Sequence, residues 1–231
     1  MNYLKFLMLH KIYVVVPVFN ESTVIREVIT DLHAHKFRNI IVVDDGSFDD
    51  TYEALSKMKG LIVLRHSLNR GKGAAIKTGM EAAKILAADL IVTFDGDGQH
   101  DPKDITSITS KIRKGYDVVL GSRFLFHQKI PLLKRVANFL ANCLTYLSYG
   151  IWVTDSQSGL RGYSKKAYEV IDTRSNRYEI ESELLREIKR HGLKYIEMPM
   201  HVRYTKYSQE KINKQNVLSG IMTMGKMFLS A

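Results

Sequence analysis

Short, mostly apolar runs alternate with stretches of helical periodicity along this chain, and no other feature limits its fold as strongly. Apolar runs occupy residues 12–16, 39–43, 61–64, 90–94 and 117–120. Between the first two, Val24, Ile25, Val28, Ile29 and Leu32 recur at the three- and four-residue spacing of one helical face. A helix is therefore expected over 22–35, with Ser22 as its N-cap. Further helices are expected from Asp49 through Lys59, over 73–86, and from Pro102 to about Lys114. Strands apolar on both faces, alternating with helices, imply an α/β fold with a mostly parallel central sheet and helices on both faces.

In such a sheet ligands bind beyond the carboxyl ends of the strands. The polar residues of this chain gather there. Asn20 and Glu21 follow the first strand, and Asp44 and Asp45 the second. Residues 69–72 follow the third, and Asp95, Gly96 and Asp97 the fourth. Two aspartates two apart at a strand end can aim both carboxylates at one point, and Gly96 and Gly98 let the backbone turn there. Such hard oxygen donors suit Mg²⁺ or Mn²⁺. Read alone, the same residues also fit a solvated Asp/Gly turn.

Charge and cysteine content narrow the partners. The formal net charge is +10, which calls for an anionic partner. No arginine-rich arm and no zinc-ligand spacing is present, which argues against nucleic acid. The single cysteine, Cys143, excludes a disulfide framework and suits a reducing, cytoplasmic setting. No run of 18 apolar residues occurs, so no transmembrane helix is expected. The most apolar long stretch, 130–153, carries Lys134, Arg135, Asn138 and Asn142. Within it a helix is expected over 130–149, which with Lys129, Lys134 and Arg135 at one end fits either an interfacial helix or a packed core helix. The apolar stretch 217–229 reads both ways too. The strand over 158–163, the helix over 179–191 and the strand over 195–198 complete the expected elements.

Five ordered segments, VVVPVFNES, IVVDDGSFDDT, NRGKGAAIKTG, FDGDGQHDP and GSRF, resemble the family 2 glycosyltransferases of the GT-A fold. The branch they resemble most contains dolichyl- and polyprenyl-phosphate sugar transferases. The resemblance implies one catalytic domain over 1–231. Residues 1–125 would bind the nucleotide-sugar, 126–210 would form the acceptor side, and 211–231 an apolar helix. Pro17, Phe19 and Glu21 would line the nucleotide pocket, and Asp45 would accept from a base N–H with Asp44 supporting its loop. Asn69, Gly71 and Lys72 would approach the diphosphate. Asp95 would contact the ribose or the metal, Asp97 would bind the metal, and Gln99 would touch the sugar or its phosphate.

On the acceptor side the resemblance implies Arg123 for a lipid phosphate, supported by Asp155, Ser158, Gly159 and Arg161. Asp97 and Arg123 are the catalytic candidates. Arg203 and Lys206 resemble a basic loop that closes on the diphosphate. Taken singly, several of these have plainer readings. The 44–47 segment fits a turn with a helix cap, 69–72 a glycine-rich turn, and Arg123 a surface ion pair. Glu179 and Glu181 fit a solvated helix start.

The implied activity is inverting transfer of a hexose from UDP-glucose or GDP-mannose to a polyprenyl or dolichyl phosphate. It would take place peripherally on the cytoplasmic membrane face, with a membrane-protein partner in view. Three other readings are open: a family 2 enzyme acting on a hydroxyl acceptor, a sugar-phosphate nucleotidyltransferase, and a non-catalytic nucleotide- or RNA-binding module.

Overall fold

The alternation closes into a seven-stranded sheet in the computed structural model, which describes residues 11–125, 132–176 and 179–203. The strands are β1 (Ile12–Val18), β2 (Asn39–Asp44), β3 (Leu61–Arg65), β4 (Leu90–Thr93), β5 (Val118–Ser122), β6 (Arg161–Ser164) and β7 (Tyr195–Pro199). The helices are α1 (Ile25–Ala34), α2 (Thr51–Ser56), α3 (Lys72–Ile85), α4 (Lys103–Arg113), α5 (Leu132–Tyr149), α6 (Lys165–Val170) and α7 (Ile180–Arg190). The strand order is β3-β2-β1-β4-β6-β5-β7. All pairings are parallel except those of β6, which runs antiparallel to both β4 and β5.

Each face of the sheet carries its own core. Val14, Val16 and Val18 of β1 pack with Ile25, Ile29 and Leu32 of α1. Tyr13 and Val15, pointing the other way, pack with Ala75, Ile76 and Ala83 of α3. This two-sided burial is why the strand sequences are apolar throughout rather than alternating. Helix α3 lies close on the sheet: a Cβ at Gly79 would stand 2.3 Å from Val15 Cγ1.

Local chemistry moves several expected boundaries. Ser22 is not an N-cap: residues 22–24 form a turn, and α1 opens at Ile25 with no side-chain cap. The backbone N–H groups of Val24 and Ile25 both donate to the Glu21 carbonyl instead. Asp49 does hold the start of α2, accepting from the Thr51 N–H at 3.1 Å, but that helix ends at Ser56. β1 passes through Pro17 to Val18. β4 pairs with β1 only up to Val15, so the missing proline N–H interrupts no bond to β4. Helix α6 was not expected; the Ser164 hydroxyl caps it by accepting from the Ala167 N–H. Lys129, Lys206 and the stretch 217–229 lie outside the described residues, as does the side chain of Lys134. Among the described residues no helix is long and apolar enough to cross a membrane.

Candidate active site

The carboxyl ends of β1, β2 and β4 open onto a cleft of about 610 Å³. Its walls include Pro17, Phe19, Glu21, Asp45, Asn69, Lys72, Asp95, Gly96, Asp97, Gln99, Arg123 and Ser158. These twelve residues singled out from sequence, together with Gly71, Gly159 and Glu181, thus share one cavity. The fold explains why: parallel strands end on one edge, and each crossover loop adds its polar residues there.

The β2 end is a tightly tied loop. Asp44 is fully buried, accepting from the Ser47 N–H at 3.0 Å and pairing with Arg65 at 3.2 Å. Asp45, expected on a base, spends both oxygens on protein. Oδ1 takes the Arg70 N–H at 3.0 Å and His66 Nδ1 at 2.6 Å, and Oδ2 takes the Gly71 N–H at 2.7 Å. It therefore fixes the 69–72 loop, and only Oδ2 keeps a lone pair. Gly71 has φ 101°, a conformation that a side chain rarely tolerates. Phe19, on the cleft wall, packs edge-on against Phe48 with ring centroids 5.8 Å apart.

At the β4 end a charged triad forms. Lys72 Nζ lies 2.9 Å from Asp95 Oδ1 and 3.0 Å from Glu181 Oε1. Burial alone would push the Lys72 ammonium down, but the two carboxylates outweigh it and hold it well above its usual range. Burial likewise pushes Asp95 up, yet Lys72, His100 and Arg123 bring it down to about 2. Asp95 is thus an anion at neutral pH. The Asp95 N–H donates to His100 Nδ1 at 3.2 Å. That nitrogen must therefore be an acceptor, which leaves the ring proton on Nε2, 3.6 Å from Asp95 Oδ2. Asp97 is oriented by Gln99, whose backbone and side-chain N–H groups each donate to it at 3.0 Å.

Gly159 closes the floor of the site. A Cβ there would stand 2.5 and 2.6 Å from the two Asp95 oxygens and 2.8 Å from Lys72 Nζ. Only glycine lets the 156–159 loop lie against the triad. That loop is held by Arg161, which does not line the cleft. Its side chain is buried and donates to the carbonyls of Ser158, Glu181 and Ser156 at 2.8–2.9 Å. Arg161, expected to bind acceptor, instead supports the floor. Replacing it with methionine should orphan three buried carbonyls and lower stability by about 3 kcal/mol or more, read from the urea midpoint.

Arg123 does line the cleft and is clamped from behind. Its Nε and Nη2 donate to Asp155 at 2.7 and 2.8 Å, a bidentate pair with a fully buried carboxylate. Asp155 therefore orients Arg123 rather than meeting a ligand itself. Arg203, expected on the diphosphate, turns elsewhere. Its guanidinium pairs with Asp31 of α1 and with Asp101 at 2.9 Å, beside a smaller cavity of about 280 Å³.

Sequence reasoning overlooked His100, Gln157, Met200 and Val202, all on the cleft wall. Val202 pairs with His100 in an isolated antiparallel bridge, and the Arg203 N–H donates to the Gln99 carbonyl at 2.8 Å. The segment after β7 thus straps the loop that carries Asp97. Nothing local in the sequence signals a contact between residues a hundred positions apart.

Residues 13–172 match the glycosyl transferase family 2. An uncharacterized protein of Methanocaldococcus jannaschii is 44% identical over 95% of this chain and 91% of its own length. The UDP-N-acetylglucosamine–dolichyl-phosphate N-acetylglucosaminyltransferase of Methanococcus voltae is 36% identical over 94% of this chain and 95% of its own. Among solved structures, glucosyl-3-phosphoglycerate synthase of Mycobacterium tuberculosis, in complex with Mg²⁺ and UDP, superposes with a TM-score of 0.66 at 19% identity. That match covers 97% of this chain and 83% of the other. The family match over most of the chain and this shared GT-A architecture place the protein among the family 2 glycosyltransferases.

Proposed function

We propose that this enzyme transfers a sugar from a nucleotide-sugar to a polyprenyl or dolichyl phosphate, with inversion. The observation that carries the acceptor is Arg123. It stands on the cleft wall near enough to Asp95 to lower its pKa, and a buried carboxylate fixes its guanidinium. A guanidinium so oriented suits a phosphate oxygen. A phosphate acceptor is already anionic near neutral pH and needs no strong general base. Glu181, the carboxylate that could serve a hydroxyl acceptor as general base, is buried and paired with Lys72. Its Oε1 lies 3.0 Å from the Lys72 ammonium, which disfavours the hydroxyl-acceptor reading.

Asp95 and Asp97 suit Mg²⁺ or Mn²⁺. Asp95 is an anion at neutral pH, and each Asp97 oxygen, bound once by Gln99, keeps a lone pair. Among the described residues no third carboxylate, histidine or cysteine joins them, so diphosphate and water would complete the shell. The metal, when bound, would neutralise charge on the departing diphosphate. Lys72, at the first turn of α3, would add its charge to that end of the cleft. The 36% identical relative acts with UDP-N-acetylglucosamine and dolichyl phosphate. A UDP-linked donor is accordingly the first to test, ahead of GDP-mannose.

The test is nucleoside diphosphate release with Mg²⁺ or Mn²⁺ from UDP-N-acetylglucosamine, UDP-glucose and GDP-mannose, with and without a short polyprenyl phosphate. Release that requires the lipid phosphate is the expected result. Turnover with a glycan hydroxyl and none with lipid phosphate would overturn the acceptor. Arg123→Lys keeps the charge beside Asp155 but loses the fork. It should raise KM for the lipid phosphate about tenfold or more and leave the donor KM within about twofold.

A further inference from the structure

We infer that Asn142, assisted by Asn138, is a positioning residue for Arg123, so that α5 sets the aim of the acceptor-binding guanidinium. This rests on the reading of Arg123 as the group that meets the lipid phosphate.

The two asparagines stand one turn apart on a largely apolar helix, and both are buried. Their partners are the two peptides that flank Asp155. Asn142 Nδ2 donates to the Thr154 carbonyl at 2.9 Å, and its Oδ1 accepts from the Ser156 N–H at 3.0 Å. A carbonyl only accepts and an N–H only donates, so the amide has one orientation. Asn138 Nδ2 donates to the same Thr154 carbonyl at 2.7 Å, while its Oδ1 is buried with no partner. Asn142 is therefore the tighter grip.

Thr154 is held from the opposite side as well. Its N–H and its hydroxyl both lie 2.8 Å from Glu197 Oε1 of β7, and its hydroxyl lies 2.6 Å from Ser122 Oγ of β5. Asp155 is thus pinned between a helix and two strands. It receives the Arg123 backbone N–H as well as the guanidinium. Releasing the helix side lets the 154–156 peptides shift, and the bidentate pair transmits that shift to Arg123. Nothing in this network touches Asp45 or Asp97, and its one path toward the triad runs through Ser156, whose carbonyl is held by Arg161.

Asn142→Leu should raise KM for a short polyprenyl phosphate about tenfold, the worth of one to two hydrogen bonds, with donor KM within about twofold. Asn138→Leu, losing one bond, should give about a threefold rise and provides a folded variant if the first melts early. The deciding measurement is the double-mutant cycle with Arg123→Lys. If Asn142 acts through Arg123, adding Asn142→Leu to Arg123→Lys costs little more than Arg123→Lys alone. Full multiplication of the two effects, or an unchanged lipid KM in both asparagine variants, overturns the inference while the role of Arg123 stands. An unchanged lipid KM in Arg123→Lys itself removes that role, and this inference with it.

Discussion

Asp97→Ala should abolish metal-stimulated turnover while leaving the protein folded. Asp97 is a loop residue whose carboxylate meets only Gln99 among the contacts described here, so little of the fold depends on it. If Asp95 and Asp97 hold the metal as proposed, losing one of them forfeits charge stabilisation worth several kcal/mol, which corresponds to a drop of about 10²- to 10⁴-fold in kcat/KM. The measurement is diphosphate release against Mg²⁺ or Mn²⁺ concentration, with a melting curve as control. The same variant separates the readings of the net charge of +10. A binder of nucleic acid should hold its ligand as well or better without that carboxylate, whereas a transferase loses turnover. Metal-dependent turnover that survives in Asp97→Ala would sink the assignment of Asp97.

Gly159→Ala should nearly silence the enzyme through a single methyl group. The new carbon would sit within 2.6 Å of both Asp95 oxygens and 2.8 Å from the Lys72 ammonium, where no real contact is tolerated. Neither side yields easily. The loop is fastened by the three hydrogen bonds of Arg161, and Lys72 is bridged between two carboxylates. The Asp95 backbone is tied to His100. Asp95 must therefore turn off its present line, and a displacement near 1 Å costs about 100-fold in rate. The steady-state kinetics should show kcat/KM falling by that order. Wild-type activity in Gly159→Ala would mean that the triad does not need its present geometry.

The sequence carried the donor half of this site far better than the acceptor half. Asp45, Asp95 and Asp97 stand just past the ends of apolar strands and Lys72 in the loop-to-helix turn after the third, so the parallel-sheet rule brings them to one edge. Arg161 and Asp155 have no such rule. Their residue types suggest ligand contact, but their partners, three carbonyls and Arg123, lie on backbone whose path no periodicity fixes. Asn138 and Asn142 were legible only as interruptions of an apolar helix, because their purpose lies in a loop that follows the helix. Arg203 looked like a phosphate ligand for lack of any sign that Asp31, far away in the chain, would claim it. Local pattern reads strand ends well. It reads poorly wherever one side chain is answered by another across the fold.

The reversed strand β6 has a consequence for how such a site can diversify. Parallel strands can offer only their exits to the active edge, and every exit here is already committed to a crossover. An antiparallel strand offers its entrance. The segment arriving at β6 therefore reaches the same edge from outside the βα series, carrying Asp155, Ser158 and Gly159 with it. Ahead of Gly159, where the segment meets Asp95 and Lys72, it is not part of any crossover between parallel strands. One inverted strand thus gives the enzyme a second jaw that meets the first at Gly159.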